Sequence, residues 1–231
     1  MYILKGLFIV RKLDRAYWEE FQAKLKERKV TDKFIKKITV QETRGYGVIT
    51  RNFAKLLYAI IAPYENVTVG GDQCINRTIT VVDDGNNNRT VGYRGWLGYG
   101  DNWHSLLNME LKNHAGFTRA FGTFFRVGSG TTSPTPDDYN LSAPVQNIFS
   151  VSIKLLSNPD NTVVSLTGSD TASQDFTCSE VGLLCATLTY VSKSSTRGTG
   201  FYTLLDRAVL DTPIDFVAGD PINVQYKLTL A

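Results

Sequence analysis

Histidine and cysteine are scarce in this chain of 231 residues, with two of the first and three of the second. The cysteines Cys74, Cys178 and Cys185 form no CxxC pair, so the ligand spacing of a structural zinc site is missing and metal catalysis has little to build on. Long apolar runs are lacking too. No stretch approaches the roughly 18 apolar residues that a bilayer crossing needs, so no membrane span is expected. The apolar residues at the amino terminus (Ile3, Leu4, Leu7, Phe8, Ile9, Val10) are interrupted by Lys5 and lead to Arg11 and Lys12 without a small-residue cleavage pattern. We therefore expect no cleaved signal.

Net charge is small at +3, but its distribution is uneven. Residues 1–60 carry 14 Lys and Arg against 6 Asp and Glu, a balance of +8 that leaves −5 for the remainder. The two parts face different surroundings or each other. A basic, aromatic-containing segment at 1–45 raises contact with nucleic acid, but Tyr17 and Phe21 fall at helix-core spacing and packing explains them first.

Helical periodicity is confined to the first quarter of the chain. Residues 14–29 read as an amphipathic helix with Asp14 as cap and Tyr17, Phe21 and Leu25 on one stripe. The polar stretch 33–44 has short apolar alternation at Ile35, Ile38 and Val40, which predicts a strand ended by Gly45 and Gly47. Residues 51–62 give the strongest helix: Thr50 caps it, Phe53, Leu56, Leu57, Ile60 and Ile61 share a face, and Pro63 stops it. From residue 67 onward β-type runs take over, at 78–82, 90–97, 117–127, 148–156, 175–190, 200–210 and 222–230. The last alternates throughout, with Ile222, Val224, Tyr226, Leu228 and Leu230 inward and Asn223, Gln225, Lys227 and Thr229 outward. About eight strands at this spacing predict a mainly β fold, an antiparallel two-sheet jelly-roll sandwich over 64–231, with 1–63 as a basic, partly helical extension for anchoring and assembly.

Residues 125–145 are a long connection of defined shape, in which Gly128 and Gly130 are suited to left-handed turns and Pro134 and Pro136 keep the backbone out of a central strand. Residues 83–88 look a little like a calcium loop but lack the closing acid, so a hairpin turn is the better reading. Four sequons, at Asn66, Asn76, Asn88 and Asn140, are candidate N-glycosylation sites. The Gly-aromatic stretch with Tyr93, Trp96, Tyr99 and Trp103 reads first as core or subunit contact, with stacking on a host-surface glycan as the alternative. Cys178 and Cys185 are either a disulfide pair or two buried thiols, the second being the simpler reading. Asp101, His104 and Ser105 are too close in sequence to form a hydrolytic set in the usual way, and no nucleophile elbow is present, so neither an enzyme nor a cofactor is expected.

The order Thr50-Arg-Asn-Phe-Ala-Lys-Leu-Leu-Tyr, then Phe125-Arg-Val-Gly-Ser-Gly-Thr-Thr-Ser-Pro-Thr-Pro-Asp-Asp-Tyr-Asn-Leu, then Cys178-Ser-Glu-Val-Gly-Leu, then Leu205-Asp-Arg-Ala-Val-Leu-Asp-Thr-Pro-Ile, and the closing 222–230 strand resembles jelly-roll virion proteins of tailed phages and archaeal viruses. Fibre, collar, vertex and turret components belong to that group. The resemblance spans about 180 residues from Thr50 onward and implies a homo-oligomeric module of the virion that displays its loops and contacts other virion proteins, with a glycan-binding module for host attachment as the alternative function. It carries over no catalytic residue. The basic first 45 residues depart from the pattern, and the sequons are compatible with an archaeal host whose virus coats are glycosylated.

Overall fold

The alternating closing strand sits in the middle of a sheet. The computed structural model describes residues 4–27, 29–61, 77–93, 123–149, 151–158, 161–188 and 200–230. In chain order these hold β1 (Leu4–Leu13), a 3-10 turn (Arg15–Tyr17), α1 (Trp18–Lys26), α2 (Asp32–Ile38), β2 (Thr39–Tyr46), β3 (Val48–Ile49), α3 (Arg51–Ile61), β4 (Arg77–Val82) and β5 (Asn88–Tyr93). Then come β6 (Thr123–Gly128), β7 (Pro144–Ile148), β8 (Val151–Asn158), β9 (Asn161–Thr171), β10 (Phe176–Leu188), β11 (Gly200–Phe216) and β12 (Pro221–Leu230). The chain is mainly β, and its strand pairings are antiparallel.

One sheet has the order β2-β1-β12-β9-β8, the other β3-β11-β10-β6-β7, and β4 with β5 makes a separate two-stranded sheet. Ile222, Val224 and Tyr226 of β12 are buried, as the alternation predicts. Asn223, expected outward, is buried as well. Arg11 of β1 donates to its Oδ1 at 3.1 Å, and its own amide reaches Ser169 of β9 at 2.9 Å, so a cross-strand polar ladder covers this residue on the outer face.

The two large sheets pack face to face. Phe8 and Val10 from β1 meet Phe125 and Val127 from β6 and Val181 and Leu183 from β10 in one apolar cluster. The Phe8 and Phe125 rings stand edge to face with centroids 6.5 Å apart. A Cβ built at Gly168 in β9 would lie 2.8 Å from the Phe125 ring, so that strand can approach the opposite sheet only as glycine.

Strands from the first 63 residues lie in both large sheets. β1 runs the length of β12, with Leu4 opposite Leu230 and Lys12 opposite Ile222, and β3 pairs with β11. The expected extension is therefore replaced by strands of the sandwich, and a division at residue 63 runs through both sheets. The helical part is an excursion between β1 and β2, where Phe21, Leu13 and Ile38 bury one another and Trp18 stacks on Phe21 at 5.5 Å. The strand expected over 33–44 begins only at Thr39. Ile35 and Ile38 stand three apart, which suits a helix as well as a strand, and the Thr31 hydroxyl caps α2 by accepting from the Phe34 N–H at 3.2 Å.

Among the described elements the chain changes between the two large sheets at β2–β3, β7–β8, β9–β10 and β11–β12, and the first two are tight corners. β2 of the first sheet continues through Gly47 into β3 of the second, and β7 of the second continues past Phe149 into β8 of the first. The expected single strand over 148–156 is thus split, with Ile148 opposite Phe125 and Val151 opposite Gly168.

Helix α3 docks the small hairpin onto the sandwich. The Asn52 side chain acts as a surrogate peptide, donating to the Val82 carbonyl at 2.8 Å and accepting from the Val82 N–H at 3.0 Å. Residues 83–87 form the hairpin turn between β4 and β5, with Asp83 Oδ1 accepting from the Gly85 and Asn87 N–H groups and Asn86 left-handed at φ 63°.

The close approach at Gly168 is testable. Gly168→Ala should destabilise the chain by about 1–3 kcal/mol, because the methyl group has to displace the Phe125 ring. A denaturant titration measures it, and an unchanged midpoint would show that the two sheets yield at this point.

Candidate functional site: a buried charge cluster beneath the 129–143 loop

Charged residues inside an apolar strand must find partners, because an unpaired buried charge is far costlier than any side-chain packing returns. Glu180 in β10 is 0% exposed and Arg207 in β11 is 2% exposed. Antiparallel pairing sets Arg207 opposite Gly182, so Glu180 is its diagonal neighbour, and the missing side chain at position 182 leaves room above the sheet. The guanidinium donates from Nε at 3.0 Å and Nη2 at 2.7 Å to Glu180 Oε2, a fork on one carboxylate oxygen.

The loop 129–143 closes over this pair. Glu180 Oε1 accepts from the Gly130 N–H at 3.1 Å and the Ala143 N–H at 2.7 Å, and Oε2 accepts from the Ser142 N–H at 3.0 Å. Arg207 reaches outward in turn, from Nη1 to Asp138 Oδ2 at 2.6 Å and from Nη2 to the Thr132 carbonyl at 2.8 Å. Burial alone would raise the Asp138 carboxyl, but the Thr135 N–H and the Arg207 guanidinium overcome it and hold the group below its ordinary value. Gly128 and Gly130 are not in the left-handed region expected of them, where Gly219 is the glycine found among the described residues. They serve space instead: a Cβ at Gly130 would run into Ser142 Oγ and the Glu180 carboxylate.

A second arginine ties down the other flank of the loop. Arg126 in β6 donates from Nε to Asn147 Oδ1 at 2.7 Å and from Nη1 to Asn140 Oδ1 at 2.7 Å and Asp84 Oδ2 at 3.0 Å. Asn140 Nδ2 donates to the Asp84 carbonyl at 3.0 Å. One polar network therefore joins β6, β7, the long loop and the tip of the β4–β5 hairpin. Both Glu180 oxygens hold at least two donors, so this carboxylate fixes the backbone geometry of the loop above it.

These arginines and Glu180 were not candidates from the sequence. Their signal is there in retrospect: Ser-Glu-Val-Gly-Leu-Leu-Cys and Leu-Leu-Asp-Arg-Ala-Val-Leu each place charge within runs that are apolar on both faces. Among the candidates, Cys178 and Cys185 lie on the same strand seven residues apart, roughly 23 Å at ~3.3 Å per residue. A disulfide between them is excluded by that separation. Both are buried, and burial pushes the Cys178 thiol up to about 12. Asn140 has its amide engaged at both ends, whereas Asn88 is exposed at the start of β5. Asn66, Asn76, Trp96, Tyr99, Trp103, Asp101, His104 and Ser105 lie outside the described residues, as does the side chain of Tyr93.

Arg207→Met strips the Glu180 carboxylate of its cation and should cost about 3–5 kcal/mol. Limited proteolysis should then cut within 129–143 in the variant and spare that loop in the parent chain; equal resistance would show that the loop is held by other contacts.

Comparison of the chain with protein-family models, with curated proteins and with solved structures gives no match.

Proposed function

We propose that this chain is a structural protein of a virus particle, a jelly-roll-like sandwich that assembles with copies of itself and other virion proteins and presents shaped loops outward. The observation that carries the reading is the Glu180–Arg207–Asp138 network, which turns a 15-residue connection (129–143) into a fixed surface. A contact made by a loop already held in place loses little conformational entropy on association, which suits a unit repeated many times in an assembly. The strand order adds support: among the described strands β1 pairs with β12 and, in the second sheet, β3 pairs with β11, the nesting with which a jelly roll begins. Its inner strands differ from that plan, since β6–β7, β8–β9 and β10–β11 are each joined as neighbours.

An antibody raised against the full chain should label purified virus particles from the source organism, and native mass measurement should give a closed multiple of the chain mass. A monomeric chain absent from purified particles overturns the proposal.

Glycan display follows the same geometry. In a glycosylating host Asn88 should be occupied and Asn140 should stay bare, because a sugar on Asn140 Nδ2 would replace its bond to the Asp84 carbonyl. Glycopeptide mass spectrometry reads both sites, and occupancy of Asn140 in the folded chain would contradict the docked loop.

A further inference from the structure

Asp206 is the neighbour of Arg207 in sequence, but its carboxyl faces the other way, into the space between the sheets. It is 1% exposed, and no cation faces it among the described residues. Tyr226 of β12 donates to its Oδ2 at 2.7 Å, while Oδ1 has no hydrogen-bond partner. A cavity of about 60 Å³ adjoins it, with Phe53 of α3, Leu166 of β9 and Leu183 of β10 among its walls. Two glycines hold it from the remaining sides. A Cβ at Gly6 of β1 or at Gly47 of the β2–β3 corner would overlap the carboxyl oxygens.

This is a poor place for an anion. The titratable group that faces it is Tyr226, whose phenol is itself held protonated by burial and by the adjacent carboxyl. Arg207 spends its guanidinium on Glu180 and Asp138, on the opposite face of the sheet. The corner is closed by two backbone bonds, from the Gly47 N–H to the Gly6 carbonyl at 2.9 Å and from the Thr50 N–H to the Leu205 carbonyl at 3.0 Å, and these are the bonds that have to yield if the carboxyl ionises.

We infer that Asp206, wedged between Gly6 and Gly47 and bonded to Tyr226, is a proton-operated lock on this corner. With the carboxyl neutral, β3 and the start of α3 close over the interior. With it ionised, water is drawn into the cavity, which at ~10–15 Å³ of accessible space per molecule has room for a few, and the corner loosens.

The direction in pH follows from linkage. Burial pushes the Asp206 carboxyl from its ordinary 3.8 up to about 7, the Tyr226 hydroxyl bond opposing. Between about pH 4 and 7 the closed chain keeps a proton that the opened one has lost, so closure weakens as pH rises through this window and levels off above it. Carboxyls held below their ordinary values at Glu42, Asp83, Asp138 and Asp220 act in the opposite sense, and only below that window.

Amide hydrogen exchange on the full chain at pH 4.5–8 tests the lock through the protection factors of Gly47 and Thr50. In the parent chain these should fall by up to about tenfold per pH unit until near pH 7 and then flatten. Asp206→Asn, a neutral group of the same shape, should remove that slope, and comparing the two chains cancels any contribution from His104 and His114, which both retain. Equal slopes in the two chains overturn the proposal. Tyr226→Phe covers the case in which the asparagine variant fails to fold: losing the donor that favours the anion should move the levelling point to higher pH, and an unmoved point overturns the lock as well.

Discussion

The buried pairing of Glu180 with Arg207 is the constraint around which the outer face of the second sheet is arranged. Neither charge could be left alone at that depth, and neither can be satisfied by its partner only, because a carboxylate and a guanidinium have more lone pairs and protons than one fork consumes. The remainder is met by backbone groups of the 129–143 loop, which is why the loop takes the path it does. Its N–H groups at Gly130, Ser142 and Ala143 converge on one carboxylate, while Thr132 and Asp138 receive the other side of the guanidinium. A loop built this way is ordered by electrostatic need without an apolar core of its own. Leu141 is the exception, joining Phe124, Leu184 and Leu204 beneath it.

The other polar systems divide the labour. Asp220, held ionised by Lys12 and Arg15 against the effect of its burial, fastens the β11–β12 turn to the end of β1. Arg11 with Glu42 and Asn223 knits three strands of the first sheet together. Each lies where strands from distant parts of the chain meet, so the polar contacts select register in a sandwich whose apolar core would tolerate several.

Strands whose apolar residues alternate, as in β12, or run together, as in the doubly covered β6, β10 and β11, were legible in the sequence, and β1 and β9 were not. β12 announces itself through Ile222, Val224 and Tyr226, whose intervening residues are polar. β1 gives no such alternation: Phe8, Ile9 and Val10 are all buried, so the run looks like an apolar leader and not like a central strand. β9 fails for the opposite reason, since Ser165, Gly168 and Ser169 are small or polar and still buried. The α3 helix and its Thr50 cap were readable because local spacing and a local hydrogen bond determine them. The charge cluster was not, because Glu180 and Arg207 acquire their meaning only from a pairing register across 27 residues. The loop itself was visible as a loop; what holds it was not.

The pairing of β1 with β12 sets an order of events on the ribosome. β1 hydrogen-bonds along its length to a strand made about 200 residues later, with Val10 opposite Val224 and Leu4 opposite Leu230. At ~5–20 residues per second, the nascent chain carries β1 without that partner for roughly 10–40 s. Throughout that interval the Phe8–Val10 edge is an unfilled template for any strand that comes near, and neighbouring nascent copies on one message are the nearest source. β1 thus depends on Pro221–Leu230 to close the edge that it opens.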